Sequence, residues 1–139
     1  MTTQASNQAS PIPDSYKDLL RSTAVANVAT IGPHGEPQVN PVWFGWDGQN
    51  LLFSQTKTRQ KLRNIAREPR VAISVVDPVN PYRYLEIRGV VVEVADDTNN
   101  QFINSMAKKY MDQDIYPWNQ PGEERVVVVV RPERTTQMG

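Results

Sequence analysis

A chain of 139 residues supports one domain with a single core, and its 15 Lys and Arg exactly offset its 15 Asp and Glu. Neutrality excludes a general nucleic-acid binder, which carries a large positive excess. No apolar run approaches the roughly 18 residues of a membrane span. The absence of cysteine excludes disulfides, thiol catalysis and thiolate metal sites, and fits a reducing, cytoplasmic setting.

Residues 1–13 are rich in Gln, Ser and Thr and read as a flexible polar tail, without the basic and apolar regions of a signal peptide. The domain is expected over 14–139. Asp14 is the expected N-cap of a short helix through Lys17, Leu19, Leu20 and Arg21. Ala24 to Ile31, small and branched, predicts a strand packed on both faces, and Gly32-Pro-His-Gly35 a turn. Val39 to Trp46 is strand-like, but Pro41 cannot donate to a ladder. It therefore marks an edge or a bulge. Asp47-Gly48 is a hairpin signal that returns the chain into Leu51 to Ser54.

Ser54 to Pro69 then carries Lys57, Arg59, Lys61, Arg63 and Arg67 against a single Glu68. A hydroxyl-rich turn opens a helix here, and the helix ends before Pro69 because the residue preceding proline is pushed out of helical geometry. In a neutral chain this is a local positive field. Hydroxyls, free N–H groups and lysines one turn apart make a phosphate cradle; a solvated basic face is the competing reading.

Val71 to Val76 predicts the next strand. The long strand Tyr84 to Val94 follows, alternating Tyr84, Glu86 and Arg88 with Leu85 and Ile87, and Gly89 is placed to bend it. Phe102, Ile103, Met106, Ala107 and Tyr110 form an i, i+3, i+4 stripe on a helix from about Asp97 to Met111, which reads as core. Asp112 to Gly122 lacks periodicity and holds Trp118 between two prolines. Val126 to Val130 is five valines, expected to be a doubly buried strand stopped by Pro132. These elements predict a mostly β (α+β) fold: a small six-stranded antiparallel split β-barrel with two or three peripheral helices.

His34 is the sole histidine, so a His-based metal site, a Ser-His-Asp triad and a His acid–base pair are all excluded within one chain. No catalytic side chain stands out. Any reactivity is therefore expected from an organic cofactor. Val39 to Phe44 offers freed backbone groups beside Trp43 and Phe44, and Ser54 to Asn64 offers the anion cradle. A planar ring carrying a phosphate suits both.

The strand Val25-Ala-Asn-Val-Ala-Thr-Ile, the following Gly-x-x-Gly-x-Pro, Asn40-Pro-Val-Trp-Phe, Lys61-Leu-Arg-Asn-Ile-Ala-Arg-Glu-Pro-Arg-Val, Ile87-Arg-Gly and the terminal Val-Arg-Pro-Glu-Arg134 occur in this order. Together they resemble the pyridoxamine 5′-phosphate oxidase-like split-barrel flavoproteins, and most closely their branch that binds the deazaflavin coenzyme F420. The resemblance implies that Val39, Asn40, Pro41, Val42, Trp43 and Phe44 line the ring, largely through main chain. It implies that Ser54, Gln55 and Thr56 reach the polyol. Lys57, Thr58, Arg59 and Lys61 then hold the phosphate, with Asn64 in support.

Gln60 stands where the oxidases carry the arginine of an Arg-Lys phosphate pair, and their C-terminal Arg-Leu-x-Pro is missing. Both departures point away from an FMN oxidase and toward hydride transfer from reduced F420 to a small unsaturated or conjugated substrate. An FMN-dependent member of the fold and a non-catalytic F420 carrier are the alternatives. Arg59, Arg63 and Arg67 suit the anionic tail of F420. The resemblance further implies a homodimer with two interfacial sites, over which a partner's Tyr82, Arg83 and Tyr84 close, with Trp118 nearby.

Overall fold

The computed structural model of the protein describes residues 10–139. Among these residues, seven strands form one sheet: β1 (Ala26–Ile31), β2 (Pro37–Val42), β3 (Phe44–Trp46), β4 (Leu51–Thr56), β5 (Arg70–Val76), β6 (Tyr84–Asp96) and β7 (Arg125–Met138). Their order is β2-β1-β5-β6-β7-β4-β3, and every pairing is antiparallel. Three helices accompany it: α1 (Lys17–Arg21), α2 (Gln60–Arg67) and α3 (Gln101–Met111). No helix among the described residues is long and apolar enough to cross a membrane.

The strands number seven and not six because Val39 to Trp46 is two strands. Trp43 separates them, and β2 and β3 lie at opposite edges of the sheet. Edges one residue apart in the chain force the sheet to curl until they meet at Trp43. No ladder joins β2 to β3, so the sheet is curled but not closed. Pro41 lies on an edge strand, where a missing N–H costs no ladder bond.

The interior is apolar and filled. Val28, Phe44, Leu51, Phe53, Ile73, Val75, Leu85, Ile87, Val128 and Val130 are buried, and Leu19 and Leu20 of α1 join the same cluster. β6 keeps the expected alternation, with Leu85 and Ile87 inside and Arg88 out. β1 does not: Asn27 is exposed, so the strand packs on one face. The valine run likewise buries Val126, Val128 and Val130 and leaves Val127 and Val129 partly covered.

Pro132 does not stop β7, which continues to Met138. Pro132 lies opposite Gly89 at a register shift in β6. A Cβ on Gly89 would sit 2.6 Å from the Arg131 carbonyl oxygen, so only glycine lets the strands pass there. Asp14 does not cap a helix. It lies inside a 3-10 turn and pairs with Lys17 at 2.7 Å. The ordered domain also begins earlier than residue 14, because Ile12 is buried in the core and the Pro11 carbonyl accepts a hydrogen bond from Thr135. The remainder of the expected tail, 1–9, lies outside the described residues.

Candidate functional site

Leu51-Leu-Phe keeps β4 in the core, and Ser54-Gln-Thr56 turns it polar as it emerges. The chain then enters α2. Residues 61, 64 and 65 of α2 share a face, and that face is buried, although two of the three are polar. Beyond this face lies a cleft of about 790 Å³, outside the filled interior and within the size range of small-molecule sites. β2, β4 and the start of α2 line one side. Trp43 and the loop after α3, through Tyr116 and Trp118, line the other.

The polar side is rich in unused donors. Lys61 is 5% exposed, yet its ammonium has no hydrogen-bond or ion-pair partner among the described residues. Its nearest electrostatic company is the Phe53 ring, with Nζ 5.6 Å from the centroid. Burial, helped by the charge of Arg59, lowers its pKa to about 8. The side chains of Gln55, Thr56 and Arg59 also reach the cleft without an intrachain hydrogen bond among the described residues. Such a donor set fits a phosphate and polyol and offers little to a metal cation. No group of three or more His, Cys, Asp or Glu side chains among the described residues could hold one.

The aromatic side is assembled around the seam of the sheet. Trp43 stacks on Tyr110 with centroids 5.1 Å apart and rings 5° from parallel. It meets Tyr116 edge-on at 6.0 Å and Trp118 at 6.2 Å. α3 clamps the seam itself. The Phe44 N–H donates to Tyr110 Oη at 3.2 Å, Tyr110 donates to the Ala24 carbonyl at 2.7 Å, and Lys109 Nζ donates to the Phe44 carbonyl at 2.7 Å. Burial pushes the Tyr110 phenol up, against the Phe44 hydrogen bond, and lowers Lys109 to about 8. Arg125 crosses between the two sides. It donates to Ser54 Oγ at 3.2 Å and to Glu123 at 3.2 Å, and lies over the Tyr116 ring at 4.8 Å.

Of the positions expected at the site, Asn40, Pro41, Val42, Trp43, Ser54, Gln55, Thr56, Arg59 and Lys61 border this cleft together. Phe44 is core, and Val39 faces solvent on the other side of β2. Lys57 points away, paired with Asp96 at 3.0 Å, which raises its pKa. The carbonyl of Thr58 accepts from Arg63 at 3.0 Å, and Asn64 is fully buried behind the wall. Arg67 donates to the Ile31 carbonyl at 2.6 Å, and neither Arg63 nor Arg67 borders the cleft. Arg83 is held by Asp18 and Asp77, and Tyr84 pairs across the sheet with Met138.

Tyr110, Lys109, Tyr116 and Arg125 escaped the sequence reading. A phenol in a helix stripe expected to be core carried the available signal, because a buried hydroxyl needs a partner. Lys109 and Arg125 lie near element ends and Tyr116 in a loop, where no periodicity identifies a role.

The sequence model of the pyridoxamine 5′-phosphate oxidase family matches residues 12–139. The chain belongs to that family. Among solved structures, a protein named as an F420 reductase is 42% identical over 90% of this chain and 98% of its own, with a TM-score of 0.83. A conserved hypothetical protein from Mycobacterium tuberculosis, 24% identical, covers 94% of this chain and 88% of its own at a TM-score of 0.72. A putative pyridoxamine 5′-phosphate oxidase from Listeria innocua, 20% identical, covers 89% and 95% at 0.69. The last two share the fold. Membership of the oxidase family and the likeness to an F420 reductase together support a flavin-type cofactor and oxidoreductase chemistry.

Proposed function

We propose that the cleft holds coenzyme F420 and that the protein is an oxidoreductase passing a hydride from the reduced coenzyme to a small unsaturated or conjugated organic substrate. The observation that carries this reading is Lys61, a largely buried side chain whose ammonium opens on the cleft without a counter-charge among the described residues. An unpaired buried cation costs stability and is retained where a ligand supplies the anion. The 42% identical F420 reductase supports the deazaflavin over other ring-bearing phosphates.

In this reading Lys61 and Arg59 hold the phosphate, Ser54, Gln55 and Thr56 meet the polyol, and Asn40, Val42 and Trp43 border the ring. When bound, the deazaflavin supplies the hydride. The chain contributes position, charge and exclusion of water, with no side chain needed as acid or base.

The working unit is a homodimer. Val92 and Val94 leave an apolar stripe exposed on β6, and Trp118 stands 56% exposed beside the cleft. Light scattering at micromolar concentration tests this assembly, and a monomer binding cofactor at full affinity overturns it.

Fluorescence-quenching titrations with F420 and FMN test the cofactor. F420 is expected to bind more tightly; FMN binding tenfold more tightly would overturn the deazaflavin. Turnover of pre-reduced F420 with quinones and enones separates an enzyme from a carrier.

A further inference from the structure

The polar side of the cleft is wired in one direction. Arg63, on the surface of α2, donates Nε and Nη2 to Gln60 Oε1 at 3.1 and 2.7 Å. Gln60 then donates Nε2 to Asn64 Oδ1 at 2.9 Å. Asn64 shares Nδ2 between Thr30 Oγ1 at 3.0 Å and Gln38 Oε1 at 3.1 Å. Gln38 in turn donates Nε2 to Asn40 Oδ1 at 2.8 Å. Each amide receives on oxygen and gives from nitrogen.

The direction is fixed from the far end. A guanidinium has five donors and no acceptor, so Gln60 must present its oxygen to Arg63. Reversing any one amide would set N–H against N–H or oxygen against oxygen, so the row turns over together or not at all. Arg67 approaches the same Asn64 oxygen at 3.5 Å and favours the same state. Residues 38 and 40 lie on one face of β2, and both border the cleft. The outcome is an Asn40 whose oxygen is engaged and whose Nδ2 has no partner among the described residues.

We propose that Asn40 is a specificity-determining residue that presents a fixed N–H donor to the cleft and selects a ring bearing a carbonyl oxygen on that side. Gln38, Asn64 and Gln60 are positioning residues that stop the Asn40 amide from turning over. This rests on the reading that the cleft takes a ring-bearing cofactor, and it adds side-chain selection to contacts otherwise ascribed to main chain. A site built to donate discriminates strongly against a ligand without the acceptor, because the donor is then left unpaired.

The test reverses the amide from behind. Gln38→Glu still accepts from Asn64 but turns an acceptor toward Asn40, whose amide must then rotate and place its oxygen in the cleft. Dissociation constants for F420 and FMN are measured in the unmodified protein, Gln38→Glu, Asn40→Ala and the double variant, in low and high salt, with melting temperatures as a folding check. Loss of one neutral hydrogen bond predicts roughly three- to tenfold weaker binding in each single variant. The Gln38→Glu loss should persist in high salt, which screens simple charge repulsion, and should vanish in the Asn40→Ala background.

Affinity within twofold of the unmodified protein in Asn40→Ala overturns the proposal. So does a Gln38→Glu loss of equal size in both backgrounds. If Gln38→Glu does not fold, Asn40→Ala decides alone, because its side chain lines the cleft and not the core. Failure of the unmodified protein to bind either cofactor is a separate result, and removes the functional reading together with this inference.

Discussion

Lys61 and Arg83 are both drawn in from solvent, and the two surroundings are opposites. Arg83 has Asp18 at 2.7 Å, Asp77 at 3.0 Å and the Ser15 carbonyl at 2.8 Å, and its guanidinium lies over Tyr16 at 4.8 Å. Asp18 first, then Asp77, raise its pKa above the ordinary arginine value. Both terminal nitrogens of its guanidinium donate to acceptors of its own chain. Lys61 has an aromatic face and no counter-charge among the described residues, and its pKa falls to about 8. A satisfied cation ties the N-terminal helix to the loop before β6. An unsatisfied one holds a place for something else. Charge in the sequence looks the same in both cases, and partners tell them apart.

Substitution of each cation should separate these roles. The largest effect is expected for Lys61→Met, which should weaken F420 binding by on the order of 10- to 100-fold, as a charge-assisted phosphate contact implies. The same variant should make the cofactor-free protein more stable by about 2 kcal/mol near neutral pH, because it removes an uncompensated buried charge. Titration calorimetry and chemical denaturation of one preparation read both. Equal affinity, or lower stability, would contradict the contrast drawn here.

A pH effect comes next. Between about pH 8 and 10.5 the unfolded chain keeps the Lys61 proton and the folded chain has lost it, so the stability of the cofactor-free protein should rise with pH across that window. Binding runs the other way. An anion prefers the charged lysine, so affinity should fall about tenfold from pH 7 to 9. Lys61→Arg, charged throughout, should flatten the profile.

Arg83→Met should then do the reverse of Lys61→Met, lowering the melting temperature while leaving cofactor affinity within about twofold. A loss of binding without a loss of stability would move Arg83 into the site. A modest effect on both stability and binding is expected at the seam. Tyr110→Phe leaves the Phe44 N–H and the Ala24 carbonyl short of a partner, costing about 1–3 kcal/mol of stability. It should weaken F420 only a few-fold, through a loosened Trp43, with a change in tryptophan emission as the direct readout.

Much of the fold was legible because its signals are local. The alternation of β6, the Asp47-Gly48 hairpin, the stop before Pro69 and the edge position of Pro41 all follow from neighbours in sequence. The strand count went wrong at Trp43, because a barrel seam is a property of two strands six places apart in the sheet. Pro132 misled for a similar reason: the residue that makes room for it, Gly89, lies on another strand. At the cleft, residue type identified Lys61 and the Ser54 to Thr56 hydroxyl and amide run. It could not tell Lys57 from Lys61, because Asp96 and Glu124, which draw Lys57 aside, come some forty and more residues later. The amide row was invisible for the same reason, since Gln38 and Asn64 meet only in three dimensions.

An incompletely closed sheet carries a hazard that a sealed barrel does not: a free strand edge can recruit another chain and grow. On β2, alternate residues send their backbone groups to the same side, so 37, 39 and 41 share one side and 38, 40 and 42 the other. The ladder to β1 runs the full length of β2, so the proline side is the one turned away. Pro37 and Pro41 thus leave Val39 as the lone donor along that border. The opposite border, β3, is three residues long. One margin is therefore short of donors and the other short of length, so the protein can keep its seam open without becoming a template for fibrils.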